Sequence, residues 1–188
     1  LPMYGLVNKA IEQMVCRHHG EAVWEAIKSR AGVEVEVFLS NENYPDDITY
    51  RLVGAASDVL KAPGDDILKA FGEHWITYTA QEGYGGLMKG AGKSLPEFFA
   101  NLPTFHTRVA MIFPNLQPPK FRCTDVTDRS MRLHYVSHRA GLSAFVVGLL
   151  QGLGKMFESP VTVTQVEFRE RGAECDVFLL EWEPRTPV

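Results

Sequence analysis

Several common classes of protein are excluded by what these 188 residues lack. Cysteine is scarce. Cys16, Cys123 and Cys175 lie far apart, make no CxxC pair and no zinc-ligand spacing, and an odd number cannot complete a disulfide framework. That argues against a disulfide scaffold and fits a reducing, cytoplasmic setting. An excess of one charge is lacking too. The net charge of −4 gives no electrostatic footprint for nucleic acid or for an anionic membrane. No apolar run approaches the roughly 18 residues needed to cross a bilayer, and no basic-then-apolar secretory signal opens the chain. Leu1 and Pro2 read as residues ahead of a natural start at Met3. There is no internal repeat, HExxH helix, nucleophile elbow or phosphate-binding loop. Gly83, Gly85 and Gly86 follow no strand, so they lack the context of a dinucleotide site.

What is present is an ordinary globular composition, 45% apolar and 22% charged, over a length that suits one domain with a sizeable core. Apolar residues recur at helical spacing over 5–17 and 21–31, with Gly32 as the stop of the second run. Asp46 and Asp47 suit the start of a helix to Leu60, which Pro63-Gly64 ends. Asp65 and Asp66 open the next, carrying Ile67, Phe71, Trp75 and Tyr78, and the glycines from Gly83 to Gly92 bracket a short helix. Ser94 with Glu97 forms a capping-box pattern for a helix reaching about Phe113, which Pro103 is expected to kink or loosen. After Pro118-Pro119 the period turns from helical to alternating. Strands are expected over 121–126 and 131–139, a helix over 141–157, and a hairpin of 161–169 with 174–183 around Arg171-Gly172. The pattern is α+β, a helical N-terminal part followed by a small, mostly antiparallel four-stranded sheet with one helix.

Two features carry chemistry. His106 falls in register with Leu102, Val109 and Phe113, so its imidazole points to the apolar side of its helix. It reads either as a hydrogen-bonded core histidine, which composition alone favours, or as a neutral ligand to iron. The second feature is the strand from Met131 to Arg139. Tyr135, Ser137 and Arg139 share one face over about 13 Å, each able to donate to an anion, with the Arg fork suited to a carboxylate. A solvated sheet face is the plain alternative. Met131 and Leu133 continue the same face as apolar, which favours a polar border on a buried site. His18 and His19 end a helix, His134 and His138 lie on the opposite strand face, and His74 reads as solvent-facing.

His106 stands 29 residues ahead of Tyr135-x-Ser137-x-Arg139, with Pro118-Pro119 between them. With Met3-Tyr4-Gly5-Leu6-Val7-Asn8, Phe121-Arg122-Cys123-Thr124-Asp125 and Gly148-Leu149-Leu150-Gln151-Gly152, the chain resembles the haem nitric oxide/oxygen-binding family related to soluble guanylate cyclase. In general look it is most similar to cyanobacterial members. The resemblance implies one sensor domain over residues 3–184, with a distal helical part (3–60), a proximal part bearing the sheet (61–184), and haem b buried between them. It implies His106 as the axial iron ligand, Tyr135, Ser137 and Arg139 on the propionates, and Pro119 distorting the macrocycle. Met3, Val7, Ile11, Trp75, Leu102, Phe145 and Leu149 are then expected to line the pocket. Phe145 stands where tight oxygen binders of the family carry a donor tyrosine, so NO and CO are expected ligands and O₂ is disfavoured, with the Trp75 N–H as the qualifying feature. The implied output is a weakened bond to His106, read by a separate effector such as a histidine kinase or a cyclase. The domain itself is expected to be non-catalytic. A peroxidase-type haem enzyme and a haem-free binding domain remain the alternatives, and Cys16 and Cys123 read as either redox-sensitive or inert packing residues.

Overall fold

In the computed structural model, residues 2–183 are described, so Leu1 and the expected domain end at position 184 lie outside the described residues. Strand β1 (Pro2–Tyr4) leads into α1 (Gly5–His19), whose last turn carries Arg17, His18 and His19 against the negative end of the helix. Helix α2 (Glu21–Ala31) ends on Gly32 at φ 62°, a left-handed cap that only glycine adopts cheaply. Strand β2 (Asn43–Pro45) pairs antiparallel with β1, and α3 (Asp46–Leu60) starts on its two acids. Ile11, Val15, Trp24, Ile27, Phe38, Leu52 and Ala56 pack into one core under these helices, joined by Ile67 and Phe71 of α4 (Gly64–His74). Strands β1 and β2 escape the sequence reading because three residues hold no period.

Helix α4 does not lead to a stop at the glycines from Gly83. It passes into a π-helical turn, Trp75–Thr79, and on into α5 (Ala80–Gly90), so Gly83, Gly85 and Gly86 lie inside a helix instead of bracketing one. Helix α6 (Leu95–Ala110) opens on the expected cap, with the Glu97 amide donating to Ser94 Oγ at 3.4 Å. The Glu97 carboxylate reaches back to the Lys93 amide at 2.8 Å. The helix runs through Pro103 and stops short of Phe113.

The sheet has the order β3-β4-β6-β5, all neighbours antiparallel, from β3 (Lys120–Thr124), β4 (Ser130–Val136), β5 (Val161–Glu167) and β6 (Asp176–Trp182). Met131, Leu133 and Tyr135 alternate inward along β4 and form a second core with Phe178, Leu180, Leu150 and the aromatic residues of α6. Helix α7 (Ser143–Met156) joins this core to α4. A Cβ on Gly148 would sit 2.0 Å from the Lys69 carbonyl oxygen, and one on Gly72 2.1 Å from that of Phe145. The two helices therefore cross with backbones touching, a contact available only to glycine. Among the described residues no helix is long and apolar enough to cross a membrane.

Candidate functional site

A cavity of about 310 Å³ opens between the two cores, at the small end of the range for ligand pockets. One wall is the α4–α7 seam. Phe71 lies 5.1 Å from Phe145 and 6.1 Å from Trp75 between ring centroids, and Leu149 extends this wall. Met3 of β1 and Val7 of α1 close it from the N-terminal side. The facing wall is α6, with Leu102, Phe105, His106 and Val109, followed by Pro118 and Pro119 ahead of β3. Ile11 does not reach the cavity. It is fully buried in the first core, because the face of α1 that carries it packs with Trp24 and Leu52. The expectation that it lines the pocket is corrected.

His106 is half-buried on the cavity wall and makes no hydrogen bond among the described residues. Burial pushes its pKa below the ordinary 6.5, so near neutral pH it presents an uncharged imidazole with a lone pair. At the cavity's edge stand Tyr135, Ser137 and Arg139. Burial raises the Tyr135 phenol, opposed by its hydrogen bond with Ser137 and by the charge of Arg139, so it stays a donor.

The trio is not one strand face as expected. Strand β4 stops at Val136, and Ser137 and Arg139 lie on the segment beyond it. Their convergence on the cavity is imposed by other contacts. Arg139 Nε donates to Asp46 Oδ2 at 3.2 Å, and the Tyr50 hydroxyl donates to the Ala140 carbonyl at 3.1 Å. Asp46 and Tyr50 stand one turn apart on α3, a spacing visible in the sequence although their target was not.

His74 is a second correction. It is 4% exposed, neither ring nitrogen has a hydrogen-bond partner among the described residues, and burial pushes its pKa down to about 4. It stacks near Tyr78 (4.8 Å between centroids) and is absent from the cavity wall. Helical register places it one residue from Trp75 on a different face, turned into packing where a solvent position was expected.

Compared with known families, residues 4–165 match the haem-NO-binding family. The chain belongs to that family. The haem-NO-binding chain is 34% identical over 157 residues to soluble guanylate cyclase gcy-34 of Caenorhabditis elegans, covering 82% of this chain and 23% of that protein. It is 32% identical over 165 residues to gcy-32 of the same organism, covering 86% and 24%. The chain thus spans about a quarter of the length of the curated relatives it matches. Among solved structures, the H-NOX protein of S. oneidensis in its Fe(II)NO ligation state superposes with a TM-score of 0.85 at 20% identity, covering 96% of this chain and 99% of that one. The unliganded ferrous H-NOX protein of K. algicida gives 0.84 at 23%, covering 99% of this chain and 100% of that one. These share the H-NOX fold.

The donor set of this haem-NO-binding domain fits a haem. The cavity is lined mainly by aromatic and aliphatic side chains, one neutral imidazole stands on one wall, and two hydroxyls and a guanidinium border one edge. A flat apolar ring system with an acidic edge asks for that distribution, since a carboxylate is tolerated at a buried edge only where charge and donors meet it.

Proposed function

We propose that the domain is a haem-based gas sensor that takes NO and CO at ferrous iron and disfavours O₂. Haem b would supply the iron that takes the gas. His106 would hold it from the α6 wall, while Tyr135, Ser137 and Arg139 receive the propionates and Pro119 presses on the ring. Supporting this assignment, the half-buried, neutral His106 and the anion-receiving trio line one cavity, although they sit on separate elements.

Met3, Val7, Leu102, Phe145 and Leu149 supply the apolar lining on which selectivity rests. Bound O₂ draws negative charge and needs a donor, whereas NO does not. Phe145 packs on Phe71 and carries none. Trp75 brings an indole N–H to the same wall, so it sets whatever residual O₂ affinity the domain has. The hold on His106 is passed to α6, whose Val109 packs with Phe113 against Tyr4 of β1, so a change there reaches the N-terminal strand. A separate effector, a histidine kinase or a cyclase, reads the shift. The sensor then spans residues 3–184, with 3–60 as its distal helical part and 61–184 as the proximal part that bears the sheet. Three free thiols are compatible with a cytoplasmic setting.

A peroxidase-type reading would ask for a His/Arg pair on the gas-side wall. The nearest histidine in sequence to that wall, His74, is outside the cavity lining. The deciding experiment adds NO, and separately air, to the ferrous protein. A nitrosyl spectrum with no lasting oxy complex is expected. A stable oxy complex in air would overturn the selectivity, and peroxide turnover by the purified protein would favour the enzyme.

A further inference from the structure

Strand β4 ends at Val136, so the backbone carbonyls of Ser137 and Arg139 leave the ladder and need other partners. One side chain meets both. The guanidinium of Arg169, on the short 3₁₀ turn Arg169–Arg171 between β5 and β6, donates through Nη1 to the Ser137 carbonyl and through Nη2 to that of Arg139 at 3.2 Å. Arg169 is itself fixed from below. Its amide donates to Asp176 Oδ1 at 2.9 Å, and Gln165 Nε2 donates to the same oxygen at 2.9 Å. Asp176 is 8% exposed and stands directly opposite Tyr135 in the β4–β6 register. Within the segment, the Arg139 amide donates to Ser137 Oγ at 3.1 Å.

Resting on the haem reading above, we infer that Arg169 is a positioning residue for the carboxylate clamp. The chain Gln165–Asp176–Arg169 sets the path of Ser137–Arg139 beyond the strand, and so the direction from which a hydroxyl and a guanidinium approach an acidic edge. A planar fork across two carbonyls fixes both position and orientation, which a single ammonium does not. Arg139 is then held at two points: its side chain by Asp46 of α3, and its carbonyl by the β5–β6 hairpin. The clamp belongs to neither core alone.

The test uses the haem-loaded full chain with Arg169→Met and Arg169→Lys. The Met variant is expected to keep its secondary structure and the absorption bands set by His106, to shift the propionate-bending bands in resonance Raman, and to lose haem to an excess of scavenger protein about tenfold faster, the loss expected from one charge-assisted hydrogen bond. The Lys variant falls between Met and wild type. Leu52→Ala, which loosens the other core, serves as control and leaves the propionate bands in place. Wild-type bands and rate in the Met variant overturn the proposal, as does an equal band shift in the Leu52 control. If the Met variant fails to fold, the Lys variant carries the same comparison. Absence of bound haem in the wild type overturns the sensor reading together with this one. Bound haem with an unaffected Met variant overturns this one alone.

Discussion

The two cores meet the cavity with different chemistry. Beside the first core, β1, α1 and α3 bring Met3, Val7 and Tyr50 to the cavity, and Phe71, Trp75 and Phe145, packed in or against that core, supply an apolar aromatic wall. The second, built on the sheet with α5, α6 and α7, contributes His106, Tyr135 and the segment carrying Ser137 and Arg139. Selection among gases is assigned to the first wall and retention of the cofactor to the second. A substitution that moves one property without the other sharpens that division, and one that moves both marks where the walls are joined.

His106→Gly attacks the second wall and has the largest expected effect. Most bound haem is lost, and free imidazole in the medium restores it. Unchanged loading and an unchanged spectrum would dismiss His106 as ligand. Gly148→Ala attacks the joint. Its Cβ would lie 2.0 Å from a backbone oxygen of α4, so urea unfolding should report a loss of about 3 kcal/mol, and both retention and gas affinity should move together.

Arg139→Leu comes next. It removes the guanidinium from the cavity edge and leaves Asp46, only 18% exposed, without that cation. Haem transfer to a scavenger should be about thirtyfold faster, with the gas preference unchanged. Trp75→Phe probes the first wall by removing an N–H while keeping an aromatic ring. Affinity for O₂ should fall about tenfold in flash-photolysis rebinding, about the worth of one hydrogen bond, with haem retention unaffected. If retention falls as well, the division between the walls is wrong.

The smallest effect concerns His74. The folded chain holds it neutral, with its pKa lowered from 6.5 to about 4, while the unfolded chain takes up a proton below 6.5. Stability is therefore complete above pH 6.5 and declines as pH falls from 6.5 toward 4. His74→Phe should flatten that stretch of the pH–stability curve and add about 1 kcal/mol at pH 7 by removing two unpartnered nitrogens.

The same contrast governs how much was legible in the sequence. Long periodic segments announce themselves, so α1, α2, α3, α6 and the inward alternation of Met131, Leu133 and Tyr135 follow from spacing. Residue type alone favoured a core histidine at His106 and a solvated face at Tyr135, Ser137 and Arg139, and it was their mutual spacing that pointed to the one cavity they line. What was hidden depends on contacts across the chain. Alternation extended β4 to Arg139, while the fork of Arg169 and the Asp46 carboxylate draw the segment off the ladder. Ile11 has the spacing of a pocket residue, yet its helix face meets α2 and α3 first. The glycines read as brackets around a short helix, yet α5 runs through Gly83, Gly85 and Gly86, with Tyr84 and Met88 packed against the second core. The burial of His74 goes with the approach of the end of α1, whose Arg17 and His18 act on its imidazole, a contact that no local pattern encodes.

The central claim is that one cavity holds a haem through His106. An absorption spectrum of the purified wild-type protein in its ferrous form tests it directly. An intense Soret band is expected, lost in His106→Gly and restored by imidazole. A spectrum without a Soret band after haem is supplied, or one that His106→Gly leaves untouched, would contradict it.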